Sequence, residues 1–448
     1  EISLGLVGSE MCIRDRFIFV PLFLEEKIIT ISQFIKIKLG KTLSNTYSIT
    51  YLLFFSTITI GAALFWGAYA TDAVFGDELS FLSENRVYRI GVLIIFLGFF
   101  SALYTFFGGL SAVVRTDIIQ FSVLTFGGLT ILAICLTKIG GWNKLYELSP
   151  EKMHLFLGSD HQYLPWTHIL GLFFLNINYW CANQTVIQRS LAAKSLGHAQ
   201  TGLMVGGLLK YLMALIIVVP GVILYNLNPN LISEPDLAYP YIINEFLPIG
   251  LKGLILAALA AAIVSSLASM INSTSTIFTM DIYKSTINKK ADDKQMVKVG
   301  RLTGLVALIV AMILAPQLGS LGQVFQFIQE YTGVVSPGIL AVFLMGLFYK
   351  KATNNAAIWG VILSIPIAMY FKVAPKGWNE ASIFVELPFM HQMGYTCLAT
   401  IAIITIISYF EGNQDDPKGI NLTKKLIATN KTFNIGAFSV LLITAFLY

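Results

Sequence analysis

Four sets of polar side chains interrupt otherwise apolar stretches of this 448-residue sequence, and their spacing limits the chemistry open to them. Asn176, Tyr179 and Asn183 recur at i, i+3 and i+7, so in one helix they would share a face. Carboxamides donate and accept hydrogen bonds. Such a face suits a polyhydroxyl ligand, with the Tyr179 or Trp180 ring as a surface on which a sugar could stack; it could equally serve interhelical bonding and packing. Lys210 stands alone in an apolar run, where a charged side chain costs ~2.5–3.5 kcal/mol on membrane-insertion scales, and needs a ligand or an ion-pair partner. Ala262, Ser265, Ser266, Ser269 and Ser273 form a small-residue stripe. Two hydroxyls and a backbone carbonyl are the hard oxygen donors a sodium ion takes, but small residues also let helices approach closely. Gln326, Gln329 and Glu330 precede Gly333 and Pro337-Gly338, a pair expected to interrupt its helix beside a cavity or to kink a structural one.

The elements that must position these groups are membrane helices. Hydrophobic residues make up 56% of the chain and charged residues 12%, about half the charge of a soluble domain, so lipid must be the solvent for most of the surface. Runs near the roughly 20 apolar residues that a transmembrane helix needs lie at 47–75, 89–107, 115–137, 167–188, 201–225, 251–280, 298–318, 322–348, 354–372, 390–410 and 431–448, after a stub at 17–24. The fold class expected is an all-α integral membrane protein with about eleven complete spans. Counted over alternate loops, Lys and Arg number nineteen on the side of 25–46, 108–117, 189–200, 281–301, 349–353 and 411–431 and eight on the other, which assigns the first set to the cytoplasm. Residues 1–16 read as a non-native-looking scar, and 17–448 as one transmembrane domain. The scattered cysteines, Cys12, Cys135, Cys181 and Cys397, suggest neither disulfides nor zinc, and HExxH is absent. No basic tract points to nucleic acid and no motif to an enzyme. Nothing bears on the oligomeric state.

Several longer stretches carry a resemblance. Ala102-Leu103-Tyr104 through Gly108-Gly109-Leu110-Ser111-Ala112-Val113-Val114, then Thr116-Asp117-Ile118-Ile119-Gln120, resembles a signature of the sodium/solute symporter family. So do Ile187 to Ser195, Ala258 to Lys284 and Phe325 to Phe348. The likeness runs from about Phe17 to the end and is strongest to bacterial sodium–galactose symporters of the sodium–glucose cotransporter branch. It implies an inverted-repeat transporter bundle of the LeuT type in the cell (inner) membrane, with a site near the midplane beside broken helices. It implies sodium-coupled uptake of a galactose- or glucose-like sugar by alternating access; another small solute, such as an amino acid, carboxylate or anion, is the alternative. Asn176, Lys210 and Gln329 match residues that bind sugar hydroxyls, and Tyr179 matches an inner-gate aromatic. Ala262 (through its carbonyl), Ser265 and Ser266 match sodium ligands, and Asp117 an acid implicated in sodium exit. Asn178 and Arg115 replace the Tyr and Trp frequent in sugar-transporting relatives. By the same resemblance the family's first helices, which supply the remaining ligands, are expected to precede Phe17.

Overall fold

The structure is a computed structural model describing residues 19–25, 28–54, 58–153, 158, 167, 169–227, 229, 237–320, 324–374, 387–412, 414–415 and 431–447. Side chains are described for all of these except 19, 25, 54, 109–112, 169, 170, 181, 320, 324–332, 432, 441 and 444–447. The expected scar at 1–16 lies outside the described residues. The described elements are helical: α1 Phe19–Glu25, α2 Ile31–Leu39, α3 Lys41–Phe54, α4 Ile60–Phe75, α5 Arg86–Ile139, α6 Trp142–Leu148, α7 Ile169–Cys181, α8 Gln184–Leu191, α9 Leu196–Leu227, α10 Ala238–Phe246, α11 Ile249–Ile277, α12 Asp293–Leu314, α13 Val324–Phe348, α14 Asn354–Val373, α15 Phe389–Phe410 and α16 Lys431–Leu447. Among the described residues seven helical segments are long and apolar enough to cross a membrane, and Ile60–Phe75 and Gly333–Phe348 are shorter apolar helices. The chain is a multi-pass membrane protein.

The backbone is helical throughout α5, where a loop was expected over 108–117. It is not a straight rod, since 54 residues would extend about 81 Å, more than twice the hydrocarbon thickness. The Tyr104 and Thr116 hydroxyls are hydrogen-bonded to each other, although twelve residues of straight helix would separate them by about 18 Å. Leu97 and Ile263 both border Gly67 while Asp117 meets Ser265, so both halves of α5 reach the same stretch of α11. The chain therefore turns back between its two apolar segments, Arg86–Gly108 and Val113–Ile139, which match the two spans expected there.

Two other expectations change. Span 167–188 is divided into α7 and α8, and Asn183 caps α8 by accepting a hydrogen bond from Thr185 N at 2.9 Å. Asn183 therefore leaves the face it was expected to share with Asn176 and Tyr179. Pro337-Gly338 does not interrupt its helix, for α13 runs through Pro337. A Cβ at 338 would collide with Ser364 of α14, so Gly338 permits close helix contact and the apolar flanks continue the helix past it. Short α2, inside the expected loop 25–46, was missed. Its signal is Thr30-x-x-Gln33: Thr30 Oγ1 accepts from Gln33 N at 3.1 Å, and Gln33 Oε1 accepts from Ile29 N at 2.9 Å.

α11 occupies the middle of the bundle, packing on α4, α5, α8 and α12, while α13, α14 and α15 pack together and α13 and α15 pack against α7. Loops that the Lys/Arg count places on one side touch one another. Thr30 meets Asp281 and Thr353 meets Glu411 on the side the count assigns to the cytoplasm, and Ser149 meets Asn226 on the other.

Candidate functional site

The serine stripe faces α8 and Asp117. Its members do not share one environment. Ser265, Ser269 and Ser273, four apart, are each at most 2% exposed, whereas Ala262 is partly buried and Ser266 exposed. The buried row is the inward ridge of α11. Ser265 Oγ donates to Asp117 Oδ1, and Arg189 Nη2 lies 3.2 Å from Asp117 Oδ2. Arg189 also donates to Ser269 Oγ at 2.6 Å, and Gln188 Nε2 donates to Ser269 O at 3.2 Å. One turn on, Ser273 Oγ donates toward Thr185 Oγ1 at 3.1 Å. The result is a seam of hydroxyls, one carboxylate and one guanidinium joining α5, α8 and α11. Its oxygens are of the hard type that a sodium ion requires, and Arg189 holds one Asp117 oxygen while Ser265 holds the other.

Amide and aromatic groups come together on α7. Asn176 is 7% exposed, and its Nδ2 donates to Leu172 O at 2.9 Å within its own helix. The Tyr179 ring is about half exposed and meets Trp180 edge to face, centroids 5.3 Å apart. Lys210 of α9 places Nζ 4.6 Å from the centre of the Trp180 ring, a cation–π contact that offsets part of the cost of a charge at membrane depth. Trp180 Nε1 is buried with no hydrogen-bond partner among the described residues. The structure thus brings Lys210 to the helix carrying Asn176 and Tyr179. Gln329 belongs to α13, which packs on α7; its side chain, with those of Gln326 and Glu330, lies outside the described residues.

Sequence reasoning missed Arg189 and Gln188 as members of the seam, because their partners lie far away in the chain. It also missed Asp72, 3% exposed in α4, which pairs with Arg89 at 2.7 Å and Arg86 at 3.2 Å. An acid alone in an apolar run was the available signal for Asp72.

The sequence profile of the sodium:solute symporter family matches residues 12–364. The chain belongs to this family. A sodium/glucose cotransporter of Vibrio parahaemolyticus is 40% identical over 96% of the symporter chain and 81% of its own length. Rabbit sodium/myo-inositol cotransporter 2 is 30% identical over 78% of the chain, and zebrafish sodium/glucose cotransporter 4 is 31% identical over 79%. The symporter spans 56% and 58% of those two animal relatives. Among solved structures, a substrate-bound, outward-open Na+-coupled sialic acid symporter superposes with a TM-score of 0.73 over 91% of this chain and 83% of its own, at 22% identity. The two share a fold.

Proposed function

We propose that this chain is a sodium-coupled symporter of a galactose- or glucose-like sugar, working by alternating access in the cell (inner) membrane. The observation that carries the reading is the convergence of α5, α8 and α11 on Asp117, Ser265 and Arg189. It is a built polar centre among apolar helices, in a chain whose relatives are named for cotransporting sodium with polyhydroxylated solutes. Ala262, Ser265 and Ser266 take the sodium ion as cargo, and Asp117 accepts it on the inward path. Asn176, Lys210 and Gln329 bind sugar hydroxyls, while Tyr179 covers the sugar and moves aside to release it. The Trp180 ring holds Lys210 in place.

The driving force is adequate. A potential of 100 mV supplies ~2.3 kcal/mol per charge and a tenfold sodium gradient ~1.4 kcal/mol. Their sum of about 3.7 kcal/mol supports roughly 500-fold accumulation with one ion. The test is uptake of labelled galactose and glucose into vesicles containing the protein, with sodium or potassium outside and a panel of competitors including myo-inositol, amino acids and carboxylates. Saturable, sodium-dependent uptake blocked by sugars is expected. Uptake blocked only by a carboxylate or amino acid would replace the substrate, and uptake indifferent to sodium would overturn the reading.

A further inference from the structure

A second polar nest lies at the far end of α11, outside every role assigned above. Past Ile277 the helix widens into a π-helical turn, Phe278–Ile287, which carries Asp281. The Asp281 side chain belongs to a residue only 4% exposed. Its Oδ1 accepts a hydrogen bond from Thr30 Oγ1 at 2.8 Å, and its Oδ2 is buried with no hydrogen-bond partner among the described residues. Ser32 and Ser48 also face the carboxyl group. Ser32 Oγ lies 2.7 Å from Ser44 Oγ and 2.6 Å from Ser48 Oγ. Thr30, Ser32, Ser44 and Ser48 are each at most 2% exposed. Tyr47 is the other titratable group beside the carboxyl. Lys36, whose field reaches it, is exposed, and among the described residues no basic side chain forms an ion pair with Asp281. A lone carboxylate is costly to bury unless a cation joins it. The donors here are oxygens from three separate elements, which is the ligand type that hard cations select. Widened π-helical turns are frequent at functional sites.

We propose that Asp281, Thr30, Ser32 and Ser48 form a sodium-binding site at the cytoplasmic end of α11, distinct from the one beside Ser265. Sixteen residues of helix separate Ser265 from Asp281, about 24 Å. Polar groups line the way between the two, with sequence neighbours completing the path at Thr185-Gln184 and at Thr30. Ser269 and Ser273 continue the ridge from Ser265, and Ser273 meets Thr185. Its neighbour Gln184 accepts from Ile31 N at 3.3 Å and donates to Ile29 O at 2.9 Å, on either side of Thr30. Thr30 in turn holds Asp281. An ion released from Asp117 toward the cytoplasm therefore has a second oxygen cage on that side of the membrane before it reaches water.

Binding of radioactive sodium to the purified protein, at fixed pH and without sugar, tests this independently of the sugar assignment. A Ser265→Ala, Ser266→Ala variant is expected to retain part of the parent's bound sodium. Adding Asp281→Asn is expected to lower the remainder at least about tenfold at the same sodium concentration. Ser48→Ala, which keeps the carboxylate, covers the case in which the Asn variant does not fold; in the Ser265/Ser266 variant it is expected to raise the half-saturation concentration roughly fivefold. Sodium binding unchanged by Asp281→Asn, or a half-saturation unchanged by Ser48→Ala, would overturn the site and leave Asp281 as a structural partner of Thr30. Failure of the Ser265/Ser266 pair to alter binding would instead count against the first sodium site and leave this one standing.

Discussion

The serine ridge of α11 and the aromatic face of α7 are both polar stripes in apolar helices, yet they are built in opposite ways. Along the ridge each group has a partner in the protein: Ser265 has Asp117, Ser269 has Arg189 and Gln188, and Ser273 has Thr185. On α7, Asn176 turns its amide nitrogen to its own backbone, Tyr179 is half exposed, and the buried Trp180 Nε1 has no partner among the described residues. A buried polar group without a partner costs about 1–3 kcal/mol, and Trp180 Nε1 is such a group on α7, whereas the groups of the ridge are paired. The difference suits the two cargoes. A small ion needs donors held in place to offset its dehydration, and a sugar with many hydroxyls supplies hydrogen bonds of its own.

The largest effect that would test this contrast is on the sugar side. Gln329→Ala is expected to reduce sugar uptake by about a hundredfold, because leaving buried hydroxyls and their partners unpaired removes roughly 1–3 kcal/mol per bond. Sugar affinity in detergent should fall with it, while the variant still inserts and purifies as a single species. Unaltered affinity would make Gln329 a structural glutamine.

On the ion side, Ser265→Ala combined with Ser266→Ala is expected to raise the sodium concentration for half-maximal uptake at least about tenfold, with apparent sugar affinity at saturating sodium changed less than about threefold. Uptake measured against sodium concentration decides it. An unchanged sodium dependence would return the ridge to a packing role, and an equal loss in both parameters would erase the distinction between the two regions.

Packing beneath the α7 face proposed for sugar sets the next largest effect. A Cβ on Gly171 would overlap the Met390 backbone carbonyl of α15, which cannot yield as a side-chain end can. Gly171→Ala is expected to destabilise the protein by about 1–3 kcal/mol and to weaken sugar binding more than sodium binding, because α7 carries Asn176 and Tyr179. Thermal unfolding in detergent, with sodium titrations alongside, would show whether the sodium response survives the shift.

Much of this was legible in the sequence because lipid imposes a simple rule. Apolar length marked most of the spans, and the Lys/Arg bias grouped loops that the structure joins through Thr30–Asp281 and Thr353–Glu411. What failed was local. The reading carried 167–188 as one helix because the i, i+3, i+7 spacing kept Asn183 on the face of Asn176 and Tyr179, yet the polar run that begins at Asn183 is a cap that ends one helix and begins the next. It gave Pro337-Gly338 a break because proline removes a backbone donor, yet α13 continues and the glycine serves contact with Ser364. The site residues divided in the same way. Ser265 and Lys210 were conspicuous as polar groups in apolar runs. Arg189 was not, since its meaning depends on Asp117 and Ser269, brought near only by the fold.

Asn183 stands where the two regions meet, and the smallest effect is expected there. Its side chain caps α8, the helix that presents Thr185, Gln188 and Arg189 to the serine ridge, and it follows directly after the helix that carries Asn176 and Tyr179. Removing an N-cap costs about 1 kcal/mol, so Asn183→Ala should lower stability by that amount, and Asn183→Asp or Asn183→Ser, which keep an acceptor, by much less. The frayed end of α8 holds Thr185, one turn from Arg189, so the loss should reach the ridge first. Half-saturation for sodium is expected to rise about two- to threefold while sugar affinity at saturating sodium stays within error. α7 would be untouched because its own hydrogen bonds close before the break. Equal losses in sodium and sugar would mean that the break transmits strain to both helices, and that the ion and sugar regions move as one body rather than two.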